Sequence, residues 1–266
     1  MIRDTLLGGV GFLRRLTPAR LRPRIRELLF AWLKLEWTYS TGVQIHIGNY
    51  GDWMIFCEIF AAGEYDHALG LAFDRAAASG RIPHVVDLGA STGFFTLRVL
   101  HEARRRRMPV TVTAIEALPA TAERFRARMA AQSIPTGDVR LVQGLAGARA
   151  GVVPFYEDTK HAPSSTQVRR DAGRPHPITR LTYVDLSEIL RDAPFIDLLK
   201  CDIEGSEGLV LENYADVLAK VDVAVFEFHR DLCDVARCQE RLRSYGFTHE
   251  ATFRRGAVNF TYGVWR

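Results

Sequence analysis

The chain has 266 residues, 47% hydrophobic and 25% charged, the balance of a globular protein with a sizeable core rather than a disordered or membrane-embedded chain. Its formal net charge of +4 is unevenly placed. Residues 1–40 hold eight Lys or Arg and three acids, which leaves 27 basic and 28 acidic residues in the remainder, so the main body is no general nucleic-acid binder and no nucleic-acid partner is expected.

In chain order, residues 1–40 read as one or two basic amphipathic helices. They are punctuated by Pro18 and Pro23, and Arg20, Arg22, Arg24 and Arg26 precede the apolar run Leu28-Leu29-Phe30-Ala31-Trp32-Leu33. Two readings stand: a helical arm with its arginines in solvent, or a surface that touches anionic lipid or a partner, a second copy of the chain included. From Tyr65 onward helices and strands alternate. The pattern predicts helix 66–79, strand 83–88, helix 93–107, strand 110–115, helix 119–132 and strand 138–143. The run Arg104-Arg105-Arg106-Arg107 ends the second of these helices, where cations favour the dipole.

Residues 151–184 break the rhythm with a short strand, 152–156, and a polar, proline-containing loop carrying His161 and His176, which read first as exposed loop residues and, in the alternative, as contacts to an acceptor. A short helix is expected from Asp185, then strand 195–202, helix 204–219, strand 221–228, helix 231–245 and a terminal hairpin, 247–253 with 257–265. Alternating strands and helices imply a parallel sheet covered on both faces. Cys57, Cys201, Cys233 and Cys238 form no Cys-x-x-Cys pair and read as reduced thiols of a cytoplasmic protein. No apolar run is long enough to span a bilayer, and the first residues lack a signal-cleavage pattern.

The most informative stretch is Val85-Val86-Asp87-Leu88-Gly89-Ala90-Ser91-Thr92-Gly93-Phe94-Phe95. An apolar strand reaches an acid, then a glycine turn, then a helix start, an arrangement in which glycines admit a ligand close to the backbone. A dinucleotide site asks for Gly-x-Gly-x-x-Gly. Here Ser91 and Phe94 occupy the second and third glycine positions, which argues against a nicotinamide-dependent oxidoreductase. A leading acid with glycines at 89 and 93 suits a cationic amino-acid tail, as in S-adenosylmethionine. Glu116, at the end of the next strand, can accept hydrogen bonds from both ribose hydroxyls. Gly144-Leu145-Ala146-Gly147 follows the third strand and can line the adenine.

With these residues the chain resembles the class I S-adenosylmethionine-dependent methyltransferases and, within them, the FkbM family. Four stretches carry the resemblance: Glu58-Ile59-Phe60 with Gly63-Glu64-Tyr65; the glycine turn from Val86 to Thr96; Asp197-Leu198-Leu199-Lys200-Cys201-Asp202-Ile203-Glu204-Gly205-Ser206-Glu207; and Val225-Phe226-Glu227-Phe228-His229. It implies an α/β, Rossmann-like fold with a seven-stranded, mostly parallel sheet and a C-terminal antiparallel hairpin strand, over residues 43–266, preceded by a basic helical extension, 1–42. It also implies O-methylation of a sugar, glycan or secondary-metabolite hydroxyl. A carboxyl methyltransferase and a catalytically degenerate binding subunit are the alternatives. The cofactor site is expected to draw on Tyr65, Asp87, Gly89, Ser91, Gly93, Phe94, Glu116, Ala146 and Asp202.

A hydroxyl acceptor must lose its proton, and ligands bind beyond the carboxyl ends of parallel strands. Asp202 ends the fourth strand, His229 the fifth, and Glu204 and Glu207 open the helix between. Asp202, Glu204 and His229 are the expected catalytic residues, with His229 as base oriented by a carboxylate. In a second arrangement the same three hold a divalent metal such as magnesium. Lys200, in phase with Asp202 along its strand, is placed to support a carboxylate. Glu207 reads first as an ordinary first-turn acid.

Overall fold

The computed structural model describes residues 28–30, 32–33, 35–136, 138–156, 178–255 and 259–266. Residues 28–30 and 32–33 are helical. Strands β1 (Leu35–Thr38) and β2 (Gln44–Ile47) then form an antiparallel hairpin. Helix α1 (Tyr50–Phe56) runs into one π-helical turn, Cys57–Ala61, and α2 (Asp66–Ala78) follows. The alternating body is built from β3 (His84–Leu88), α3 (Phe94–Arg106), β4 (Thr111–Glu116), α4 (Pro119–Ala130) and β5 (Asp138–Gln143). After a small hairpin of β6 (Val152–Tyr156) and β7 (Ile178–Thr182) come α5 (Leu186–Ile189), β8 (Ile196–Cys201), α6 (Glu207–Asn213), α7 (Ala215–Leu218), β9 (Val221–His229), α8 (Val235–Ser244), β10 (His249–Arg255) and β11 (Asn259–Trp265).

The main sheet has seven strands in the order β10-β11-β9-β8-β3-β4-β5. β9, β8, β3, β4 and β5 pair in parallel, and β11 runs antiparallel to both its neighbours. The chain winds outward from β3 to β5 and then returns to place β8 on the other side of β3. The crevice between the carboxyl ends of β3 and β8 is therefore the switch point at which open α/β sheets bind ligands. Buried parallel strands need apolar residues on both faces, and β3 and β8 supply them. The polar exceptions in β8 are both matched. Asp197 takes the Arg81 guanidinium and the His84 N–H, and Lys200 meets Asp87 across the strand pair. One core cluster joins α2, α3 and α4 with the β1–β2 hairpin to one face of the sheet; a second joins α6, α7 and α8 to the other.

Several expectations are corrected. The helical reading of residues 1–40 fails at 35–38, where β1 pairs with β2 and Trp37 sets its ring edge-on to Phe56, 4.6 Å between centroids; residues 1–27 lie outside the described residues. The irregular 151–184 segment contains a second strand, β7, antiparallel to β6; His161 and His176 lie outside the described residues. The helix expected over 204–219 is two short helices that break at Tyr214, whose buried ring sends its hydroxyl to the carbonyls of Ala148 and Val184. Glu204 and Gly205 precede the first of them, in a left-handed turn with φ of 53° and 104°. Helix α8 begins at Val235 rather than 231, because Asp234 caps it by accepting the Arg237 N–H.

Candidate active site

The turn between β3 and α3 is glycine-rich because the chain itself crowds it. Gly89 has φ +76°, and a Cβ there would lie 1.8 Å from the carbonyl oxygen of Asp202. The close approach expected of a ligand is thus made by the end of β8. Gly93 has φ +90°, and its Cβ would meet the Phe125 ring on α4 at 2.9 Å. Phe94, expected in the cofactor site, is buried under the Arg128 guanidinium, 3.9 Å from its ring centroid. Tight helix packing is met one residue earlier than in a dinucleotide turn, at Gly93, which leaves room for a phenylalanine at 94.

Asp87 is fully buried. Its Oδ1 lies 3.1 Å from Lys200 Nζ, and Thr96 donates its hydroxyl to Oδ2 at 3.3 Å. Lys200 Nζ also donates to the Gly89 carbonyl at 2.9 Å and stands 3.6 Å from Asp202 Oδ2. Burial alone would lower the lysine, but Asp87 and Asp202 outweigh it and hold the ammonium well above its ordinary value. One cation thereby ties the glycine turn to the ends of both central strands. At the end of β4 the Glu116 carboxylate accepts the N–H of Ser91 and that of Leu118, each at 2.9 Å and each on a different oxygen. Every carboxylate oxygen has two acceptor positions, so each oxygen of Glu116 keeps one for a hydroxyl. Ser91 holds this arrangement in a left-handed conformation, φ 49°. Ala146 is buried beside Leu145, which bridges to Tyr183.

Beyond β8 and β9 the structure brings Asp202, Glu204 and His229 together, with one side-chain atom of each within 4.8 Å of the others. His229 is buried, and both of its ring nitrogens face acids: Nε2 lies 3.3 Å from Glu204 Oε2 and Nδ1 lies 3.3 Å from Glu207 Oε1. Burial would lower the imidazole, but the Glu207 hydrogen bond and the charges of Glu204 and Asp202 raise it to about 10. A protonated ring can donate to both carboxylates at once, and the raised value favours that form over the free base expected of His229. Each of the three offers one ligand atom within 4.8 Å of the others, and a cation there would have to displace the histidine proton; no step is derived through one. Glu207 is no ordinary first-turn acid: it is fully buried, accepts the Gly205 N–H at 3.1 Å, and fixes the histidine from behind.

Glu227 was not among the expected site residues. It takes the Tyr65 hydroxyl on Oε2 at 3.3 Å and the Asn259 side-chain amide on Oε1, and lies 4.0 Å from His229 Nε2. Burial first, then Asp202, pushes its carboxyl up to about 8, against the pull of His229. The signal was present in the sequence: Glu227 and His229 are two apart on one strand and so share a face. Tyr65 packs edge-on against Phe95, 5.2 Å between centroids, and burial with the charge of Glu227 raises its hydroxyl far above the ordinary range. Glu58, delivered by the π-turn, and Glu64 add further negative charge to this surface.

The family model of the methyltransferase FkbM domain matches residues 87–248, more than half of the chain. The chain belongs to this family and is a class I methyltransferase by fold. The crystal structure of the METTL16 methyltransferase domain superposes with a TM-score of 0.51 at 11% identity, covering 93% of this chain and 92% of that one. The methyltransferase FkbM of Methylobacillus flagellatus KT gives 0.49 at 16% identity over 69% of this chain and 44% of its own. Among curated proteins none matches.

The fold implies S-adenosylmethionine as methyl donor, and the residues present fit it. Glu116 has open acceptor positions for ribose hydroxyls. Asp202, Glu204 and Glu58 outnumber the cations Lys200 and His229 at the switch point, the balance wanted by a ligand with an ammonium and a sulfonium.

Proposed function

We propose that the protein is an S-adenosylmethionine-dependent O-methyltransferase acting on a hydroxyl of a sugar, glycan or secondary metabolite. The observation that carries this reading is the carboxylate set at the carboxyl ends of β8 and β9, held in place by His229 and Lys200. When bound, S-adenosylmethionine supplies an electrophilic methyl group. The chain has to orient the acceptor, exclude water and receive one proton.

Asp202 is the proton acceptor in this account. Its side chain is 26% exposed, it sits at the switch point, and Lys200 fixes it from the strand below. Glu204 projects from a strained left-handed turn, a backbone cost kept where function needs it. Its partner His229 is charged and is a positioning residue: it neutralises the carboxylates and gives them one geometry. Glu227, tied to Tyr65 and Asn259, closes the far side of the cluster. Glu116 holds the ribose and Tyr65 lies along the cofactor side.

The test is titration with S-adenosylhomocysteine followed by transfer of labelled methyl from S-adenosylmethionine into a pool of glycans and hydroxylated metabolites. Binding that Glu116→Ala weakens at least about tenfold, with label recovered as methyl ether, supports the reading. Base-labile label would identify methyl ester and a carboxyl acceptor instead. No homocysteine-adduct binding by the parent chain would overturn the reading.

A further inference from the structure

The helical residues 28–30 and 32–33 carry apolar side chains on two opposite faces. Phe30 faces the body, its ring 5.7 Å from that of Tyr50 and 6.0 Å from that of Trp53, both on α1. Leu28 and Trp32 face away, 71% and 80% exposed, and Leu29 and Leu33 flank them at 38% and 45%. The four stand at the spacing of a single helical stripe. A stripe of three leucines and a tryptophan is more than the scattered apolar residue that any surface shows. In the sequence it is bracketed by Arg20, Arg22, Arg24, Arg26 and Lys34, with Glu27 the one acid between residues 20 and 34.

We propose that this stripe docks the protein on a bilayer containing anionic lipid. Leucines and a tryptophan beside a basic run match the boundary between acyl chains and phosphate headgroups, where indole prefers to lie and arginine finds phosphate. Charge selects this occupant over a second copy of the chain, because two such segments would bring like charges together. The anchor is continuous with the site. Phe30 is pinned to α1, and Asp52 of α1 meets the Thr92 hydroxyl of the glycine turn at 3.5 Å. Docking on lipid does not depend on methyl transfer.

The experiment is co-sedimentation of the full chain with vesicles of phosphatidylglycerol and phosphatidylcholine in equal parts, against vesicles of phosphatidylcholine alone. Binding to the anionic vesicles alone is expected, weakening as salt rises. The Leu28→Ser/Trp32→Ser variant is expected to lose at least about tenfold in vesicle affinity while its circular dichroism matches the parent; both side chains are solvent-facing. Failure of the parent to sediment, or equal sedimentation of the variant, overturns the proposal. So does a dimer in lipid-free ultracentrifugation that the double substitution dissolves, since the stripe would then be covered by a second copy.

Discussion

His229 Nδ1 lies 3.3 Å from Oε1 of Glu207, a carboxylate with no exposure to solvent. Glu204 faces the opposite edge of the same ring at the same distance. A neutral imidazole offers one donor and one acceptor, and two flanking carboxylates want two donors. The proton is therefore part of the architecture of this site.

The consequence is a histidine with the wrong sign for a general base at neutral pH. Its value rises from 6.5 to about 10 on folding, so its contribution to stability is complete below pH 6.5 and is lost as pH climbs through 10. Nitrogen-detected NMR at pH 8 should show protons on both ring nitrogens. His229→Gln should lower the unfolding midpoint at pH 6 by more than at pH 10. A ring that titrates near 6.5 in the folded chain would contradict this.

Lys200 is the second buried cation. Lys200→Met leaves Asp87 without its cation in the interior, and removing one member of a buried pair typically costs about 3–5 kcal/mol. Urea unfolding should show a loss of that order. Asp87→Leu combined with Lys200→Met should recover part of it, because no charge is then stranded. Equal losses for the single and double variants would mean that the ammonium acts only through the Gly89 carbonyl.

Gly89 and Gly93 should differ in how they fail. A methyl group at 89 collides with backbone, the Asp202 carbonyl, whereas at 93 it meets a phenylalanine ring that can shift. Both carry the left-handed penalty of about 1–2 kcal/mol. Gly89→Ala should therefore destabilise the fold more than Gly93→Ala, and should also weaken S-adenosylhomocysteine binding by displacing β8 from β3. Denaturation midpoints and calorimetry on the two variants check the order.

Away from the site, Glu102 carries a separate pH dependence. Hydrogen bonds from Arg105 and Arg106 hold its carboxyl down from 4.5 to about 2. A depressed carboxyl stabilises the fold above its unfolded value and loses that contribution as pH falls towards its folded one. Glu102→Gln should melt lower than the parent at pH 7, and the gap should close between pH 4.5 and 2. A gap independent of pH would assign the loss to packing.

How much of this was legible depends on what kind of signal each part leaves. β3, β4 and β8 are buried on both faces, so their apolar runs are nearly continuous and their limits were read to within a residue or two. β1 and β2 have four residues each and take their meaning from each other and from Phe56, contacts that no local pattern shows. The turn at Glu204 was hidden because an acid-rich stretch before an apolar run resembles a helix start, and only the positive φ shows otherwise. That Asp202, Glu204 and His229 come together was legible because they stand at or just beyond the ends of neighbouring strands. The charge of His229 was not, because it depends on Glu204 folding back over the ring. Glu227 was within reach by strand alternation, two residues before a histidine already singled out.

Transfer of labelled methyl by Asp202→Asn, measured alongside its binding of S-adenosylhomocysteine, separates proton uptake from cofactor binding. The substitution keeps shape and removes the ability to take up a proton. Turnover should fall by about 10² to 10⁴, the usual worth of a positioned acid or base, and S-adenosylhomocysteine binding, which loses one carboxylate from the set, by far less. Turnover at the parental rate with binding intact would contradict the assignment of Asp202 as the proton acceptor.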